Sequence, residues 1–235
     1  MEYAIVGTKN KNNVYHGGSA SISLYNPKVK GTQYSSARIK VQNYPESIEV
    51  GWTVSDRGNK FTICIYVYPT LYNDTRTRLY TFTKLQTAKS SCFNTLCNSI
   101  IPVRTDIPLG IPLESISTPE QQFDLQLMLF WASSNGNWFL KFGQDETVIG
   151  FWPKNVFTSL GDGANYVEWG GEVFSPPGVP IPPMGSGYSE RLKENTKYDA
   201  YCRQIKTINE TDSVVNAVDA ESFSDIVQYQ VIDEE

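Results

Sequence analysis

Two glutamates stand close to glycine in strand-like surroundings: Glu49 in SIEVGW and Glu172 in VEWGGEV. A pair of carboxyl groups from distant parts of a chain can hydrolyse an amide or a glycosidic bond with neither metal nor histidine. One ionised group takes a proton from water, and the other, kept neutral, gives one up. Like charges in close contact do not both ionise cheaply, so one pKa rises, the pair shares a proton and the chemistry favours acid. Side chains alternate along a strand, so Glu49 shares a face with Gly51, and Glu172 shares one with Gly170 and Glu168. Beside each glutamate the glycine offers a bare hydrogen, which predicts room for an extended chain across the sheet. Gly171, on the opposite face, has no role in this reading.

Other hydrolytic machinery is missing from the sequence. The chain has a single histidine, His16, and neither an HExxH zinc pair nor a GxSxG elbow. It has no Asp-Thr-Gly or Asp-Ser-Gly motif, no P-loop and no complete GxGxxG, so the reading assigns no metal and no cofactor. His16 reads as an ordinary loop residue. Of the four cysteines, Cys92 and Cys97 lie in SCFNTLC. A metal there would need two further ligands, so a disulfide is favoured, with the oxidising compartment it implies. The sequons at Asn73 and Asn209 agree with secretion, whereas MEYAIVGTKN lacks the charged-then-apolar layout of a signal peptide. A net charge of −5 with scattered Lys and Arg argues against nucleic acid as a partner. The longest apolar run, LMLFWA, is far too short to span a membrane.

The elements that must position the glutamates read as strands. Segments such as YAIVGT, SASISLYNP, YSSARIKVQN, SIEVGWTV, FTICIYVYP, RTRLYTFT, QFDLQLMLFW, NWFLKFG, TVIGFWP and NYVEWGGEVF recur between Gly, Pro, Asn and Asp. In FDLQLMLF, Asp124 and Gln126 fall on one face and Leu125 and Leu127 on the other. SNGN (134–137) predicts a hairpin turn, and PKNVFTSL (153–160) one short helix opened by proline. The Pro-rich stretch 175–187 predicts a loop ordered by what it packs on, and the acidic tail beyond VQYQV a frayed end. Over 235 residues this gives a single all-β domain, a sandwich of two packed antiparallel sheets. Trp52, Trp152 and Trp169 read as core residues first and as groove-lining residues second.

SIEVGW, YPTLYNDTRTRLY, CFNTLC, GNWFLKFG, VIGFWPKNVFTSL, VEWGGEV and PPMGSG follow one another in this order. Together they resemble the neprosin domain of plants, from about Tyr3 to about Val231. That family is similar to glutamic peptidases, β-sandwich enzymes that cut after proline with two glutamates. The resemblance implies Glu49 and Glu172 as the catalytic pair, the Cys92–Cys97 disulfide, and acidic working conditions. It also implies protein or peptide substrates, proline-rich ones among them, and a secreted or vacuolar location. Glu168 has the matching face but not the family position, and MGSG reads as a loop near the site with no chemistry of its own.

Three departures from the family pattern bear on activity. SDRGNKFTICIYV (55–67) is an added stretch directly after the Glu49 strand, and it brings in Cys64. The family's secretion signal and pro-segment have no counterpart in the sequence. Cys202 resembles one half of a C-terminal disulfide whose expected partner is absent from VQYQVIDEE. Two other readings stand beside the peptidase: a glycan-binding or glycan-hydrolysing sandwich, because paired carboxylates with aromatics also serve glycosidases, and a family member with a non-working site.

Overall fold

The computed structural model describes residues 1–56, 72, 74–86, 91–187 and 199–225. Most of the 55–67 stretch, together with Cys64, Asn73, FTICIYVYP and the acidic tail, lies outside these residues. Alternating side chains make the strands, and the alternation decides which face each buries. In chain order they are β1 (Glu2–Thr8), β2 (Tyr15–Ser23), β3 (Tyr34–Asn43), β4 (Glu46–Ser55), β5 (Arg78–Lys84), β6 (Cys92–Phe93) and β7 (Ile101–Pro102), followed by β8 (Asp124–Ala132), β9 (Asn137–Phe142), β10 (Thr147–Trp152), β11 (Tyr166–Phe174), β12 (Cys202–Asn209), β13 (Val214–Asn216) and β14 (Ala220–Ser224).

They form two seven-stranded sheets, ordered β14-β1-β11-β3-β4-β5-β6 and β13-β12-β2-β8-β9-β10-β7. All named pairings are antiparallel. The two-sheet sandwich read from the sequence is therefore the fold. The inner faces meet in one large core, in which Ile39, Val50, Trp52 and Trp169 of the first sheet pack against Ile22, Leu127, Leu129 and Trp138 of the second.

The tryptophans tie the two layers together. A buried indole N–H requires an acceptor; Trp138 finds the Leu160 carbonyl at 2.9 Å, and three others find one in the opposite sheet. Trp52 donates to the Ser23 carbonyl at 2.8 Å, Trp169 to the Ser19 carbonyl at 3.1 Å and Trp152 to the Thr83 hydroxyl at 2.8 Å. The core assignment of Trp52, Trp152 and Trp169 holds, and none of them lies on the face that carries the glutamates.

Several local expectations meet the structure. SNGN joins β8 to β9, with Ala132 paired to Asn137 and Gly136 at φ 74°. In place of one helix over 153–160 there are two single 3-10 turns, Lys154–Val156 and Leu160–Asp162. The buried Glu46 carboxylate accepts the backbone N–H groups of Thr158 and Leu160, and so holds an irregular loop where a helix would have used those donors itself. His16 is not a loop residue. It is buried on β2, pairs with Asp212 at 2.6 Å and packs its ring on Trp131. Strand β2 starts earlier than SASISLYNP suggests, because Gly17 and Gly18 sit inside it as close-packed strand positions; a Cβ at Gly17 would lie 1.9 Å from the Leu129 carbonyl oxygen.

The Pro-rich loop is ordered by its packing. Met184 sits over Gly171, where a Cβ would come within 2.5 Å of the sulfur, and joins Val173 and Ile181 in a small cluster. That gives Gly171 its reason. It also places MGSG on the face opposite the glutamates.

Candidate active site

The outer face of the first sheet is built by three neighbouring strands with matched patterns. In the register, Arg38 on β3 stands between Gly170 on β11 and Gly51 on β4. Diagonally placed around it are Glu49 on β4 and both Glu168 and Glu172 on β11, because Lys40 pairs with Glu49 and Glu168, and Ser36 pairs with Glu172. Pairs directly across a sheet and along its diagonals are within reach of long side chains. An E-x-G, an S-x-R-x-K and an E-x-G-x-E laid side by side therefore yield one guanidinium ringed by three carboxylates.

The distances bear this out. Arg38 Nη2 lies 2.7 Å from Glu168 Oε1 and 3.2 Å from Glu172 Oε2, and Arg38 Nε lies 3.2 Å from Glu49 Oε2. Lys40 Nζ reaches Glu168 at 3.7 Å. The Tyr34 hydroxyl donates to Glu172 Oε1. All four central groups are sheltered, with Arg38 1%, Glu168 4%, Glu172 5% and Glu49 9% exposed. Tyr34, Tyr80, Phe82 and Phe93 form an aromatic cluster on the same sheet.

Glu49 and Glu172 thus share a face and an ion-pair partner. The direct carboxyl–carboxyl contact expected of a proton-sharing pair is replaced by a guanidinium between them, and no hydrogen bond joins the two acids. The glycines also act differently from the expected open floor. A Cβ at Gly51 would stand 2.0 Å from the Ala37 carbonyl oxygen, and one at Gly170, where φ is +143°, would stand 2.2 Å from that of Ala4. These positions are bare because neighbouring backbone approaches them.

The two glutamates differ in their surroundings. Three carboxyl groups face two cations in the cluster. Burial pushes the Glu49 carboxyl up, Arg38 pulls it back, and the Glu172 charge adds to the rise. Glu172 has both oxygens engaged, Oε1 by the Tyr34 hydroxyl and Oε2 by its ion pair with Arg38. Glu49 has only Oε2 engaged, and among the described residues no hydrogen bond reaches its Oε1. Burial opposes the charge of Arg38, but its three carboxylate neighbours outweigh that and hold it protonated. Burial, reinforced by Glu172, pushes the Tyr3 hydroxyl up to about 12 and raises Tyr34 as well, while burial and then Glu49 raise Tyr80. All three remain O–H groups at any pH where the carboxylates titrate.

Glu49, Glu172 and Glu168 were accessible to sequence reasoning, whereas Arg38, Lys40, Tyr34 and Tyr80 were missed. The signal for the first three of these lay in YSSARIK, where Tyr34, Ser36, Arg38 and Lys40 occupy one face of a strand. Elsewhere, Cys92 and Cys97 are joined with their Cα atoms 5.8 Å apart, and Cys202 is a free thiol.

Comparison with known proteins adds two kinds of finding. Two solved structures of scytalidoglutamic peptidase, one with a peptide-based transition-state analogue and one with a transition-state analogue inhibitor, align with 99% of this chain and 91% of theirs, at 11% and 10% identity and TM-scores of 0.47 and 0.46. A toad ovary galectin in complex with N-acetylgalactose aligns with 72% of this chain and 93% of its own, at 10% identity and a TM-score of 0.34. The family model described as Neprosin matches residues 31–235, a stretch that includes Arg38, Glu49, Glu168 and Glu172. By that match the chain belongs to the neprosin family.

Proposed function

We propose that the protein is a glutamic endopeptidase that hydrolyses peptide bonds after proline under acidic conditions, with Glu49 and Glu172 as its catalytic pair. The observation that carries this reading is the meeting of the two glutamates, from β4 and β11, on one buried guanidinium. Their unlike surroundings suggest unlike roles. Glu172, accepting from the Tyr34 hydroxyl and ion-paired with Arg38, is the base, and Glu49, with a raised pKa and an unengaged oxygen, is the acid.

In the first step water attacks the scissile carbonyl carbon, its proton passes to Glu172, and the Glu49 proton moves to the carbonyl oxygen. As the tetrahedral intermediate collapses, the C–N bond breaks, Glu172 gives its proton to the leaving nitrogen and Glu49 recovers its own from the hydroxyl. The cycle returns both groups to their starting states and needs neither metal nor cofactor. Preference for proline and a secreted or vacuolar setting follow from the family resemblance, and the Cys92–Cys97 bridge suits an oxidising compartment.

The test is cleavage of matched peptides that contain or lack proline, across acidic and neutral pH, by the wild-type chain and by Glu49→Gln and Glu172→Gln. Each substitution is expected to lower kcat/KM by roughly 10²–10⁴-fold, the range for loss of a positioned acid or base. Full activity in either variant refutes the pair. Cleavage of polysaccharide with none of peptide moves the protein to the glycan-acting class.

A further inference from the structure

We infer that Arg38 is the positioning residue of the carboxylate pair: its guanidinium, standing between Glu49 and Glu172, fixes their separation and lets one be ionised while the other carries a proton. This deepens the peptidase reading of the same site and rests on it for its catalytic meaning.

The geometry comes first. Among the described residues Arg38 is the one group ion-paired with both glutamates, through Nε to Glu49 and through Nη2 to Glu172, at 3.2 Å each. The planar guanidinium of an arginine carries its charge on nitrogens in fixed relative positions, so the two ion-pair contacts together set where the two carboxyls stand. A lysine ammonium is a single point and cannot set both in the same way. The flanking glycines belong to this arrangement, since Arg38 rises between the bare positions of Gly51 and Gly170.

Hydrogen bonding does not account for so buried a cation. Arg38 Nε and Nη1 are buried with no hydrogen-bond acceptor among the described residues. Ion clusters of this kind are weak contributors to stability, and apolar groups of similar volume replace them without loss. The residue is therefore better explained by the charge it supplies. Among the described residues the other charged and titratable groups facing the pair are Lys40 and Tyr34 on β3, Glu168 and Tyr166 on β11, Tyr80 on β5 and Tyr3 on β1. Lys40 contacts Glu168, not Glu49 or Glu172, and the tyrosines are neutral donors. Without Arg38 the three glutamates become a like-charge group with no cation between the catalytic two. They then hold an additional proton, and the base is lost at the pH where the acid is ready.

The experiment compares wild type with Arg38→Lys, Arg38→Gln and the charge-balanced double variant R38Q/E168Q. The last removes one positive and one negative group together and so guards against a misfolded single variant. Two quantities are measured: the pH dependence of kcat/KM on a proline-containing peptide, and carboxyl protonation followed by infrared difference spectroscopy, with Glu49→Gln and Glu172→Gln to assign the bands. The expected result is that all three Arg38 variants lose at least tenfold in kcat/KM, with kcat affected more than KM. Their acidic limb moves to higher pH, and the infrared bands of the two acids no longer titrate apart as they do in the wild type. Wild-type titration and pH profile in R38Q/E168Q and Arg38→Lys overturn the inference. A wild-type chain that cuts no peptide sinks the peptidase reading alone, because the infrared titration still decides whether Arg38 holds the two acids in unlike states.

Discussion

Replacing Gly51 by alanine adds a single methyl group at the heart of the site, and the structure says what it meets. The new Cβ would stand 2.0 Å from the Ala37 carbonyl oxygen and 2.8 Å from Arg38 Cα, where ordinary contact begins at 3.4 Å. Both obstacles are backbone on the adjoining strand β3, so no side chain can swing aside. Strands β3 and β4 must part by more than a thermal fluctuation in the middle of their pairing, where Arg38 faces Gly51. Overpacking of this kind costs about 1–3 kcal/mol. In a chain of this size each kcal/mol lowers Tm by about 2–4 °C. Gly161→Ala is the control, since a Cβ there finds nothing nearer than 3.7 Å and its φ needs no glycine. Thermal and urea unfolding of the two variants gives the stability difference, and proline-peptide cleavage at acidic pH reports the site. The expected outcome is a clear fall in Tm and at least a tenfold loss of activity for G51A, with G161A near wild type. Should G51A match wild type in both measures, the close approach of β3 to β4 is not what keeps this position bare, and the register built around Arg38 is wrong.

Two further outcomes are expected. Because the folded-state pKa of Glu49 is raised, the stability it contributes is fully present below its unfolded pKa of about 4.3 and is lost as pH rises through the folded value. Glu49→Gln should therefore gain stability relative to wild type as pH rises from acidic to neutral, and a pH-independent difference in urea unfolding contradicts the raised pKa. Glu46→Ala removes the buried carboxylate that accepts the Thr158 and Leu160 N–H groups and the Ser159 hydroxyl. It should cost about 3 kcal/mol or more, whereas the exposed Glu114→Ala stays within about 0.5 kcal/mol in the same denaturation assay.

How much was legible beforehand varies by element. YSSARIKVQN coincides with β3 residue for residue, and the segments for β4, β5, β8, β9, β10 and β11 fall within a few residues of the strands, because their alternation is strong and turn residues bound them. Strand β12 went unread, although its Thr207 and Ile208 are buried, because RQIKTIN shows little alternation. The short β6, β7, β13 and β14 carry too few residues for any period to register. The helix read over 153–160 failed for a reason far away in the chain, the Glu46 carboxylate, which takes up backbone donors of the loop 112 and 114 residues on.

The sequence by itself determined the class, the two-sheet architecture, the family and the face on which Glu49, Glu168 and Glu172 stand. All of these follow from local alternation or from matched motifs. Only the tertiary structure decided what stands between the acids. The period of two says which side of a strand a residue occupies, but not which strand lies next to it. The order β11-β3-β4 brings together residues from three distant parts of the chain, and that order puts a buried arginine where a shared proton was expected.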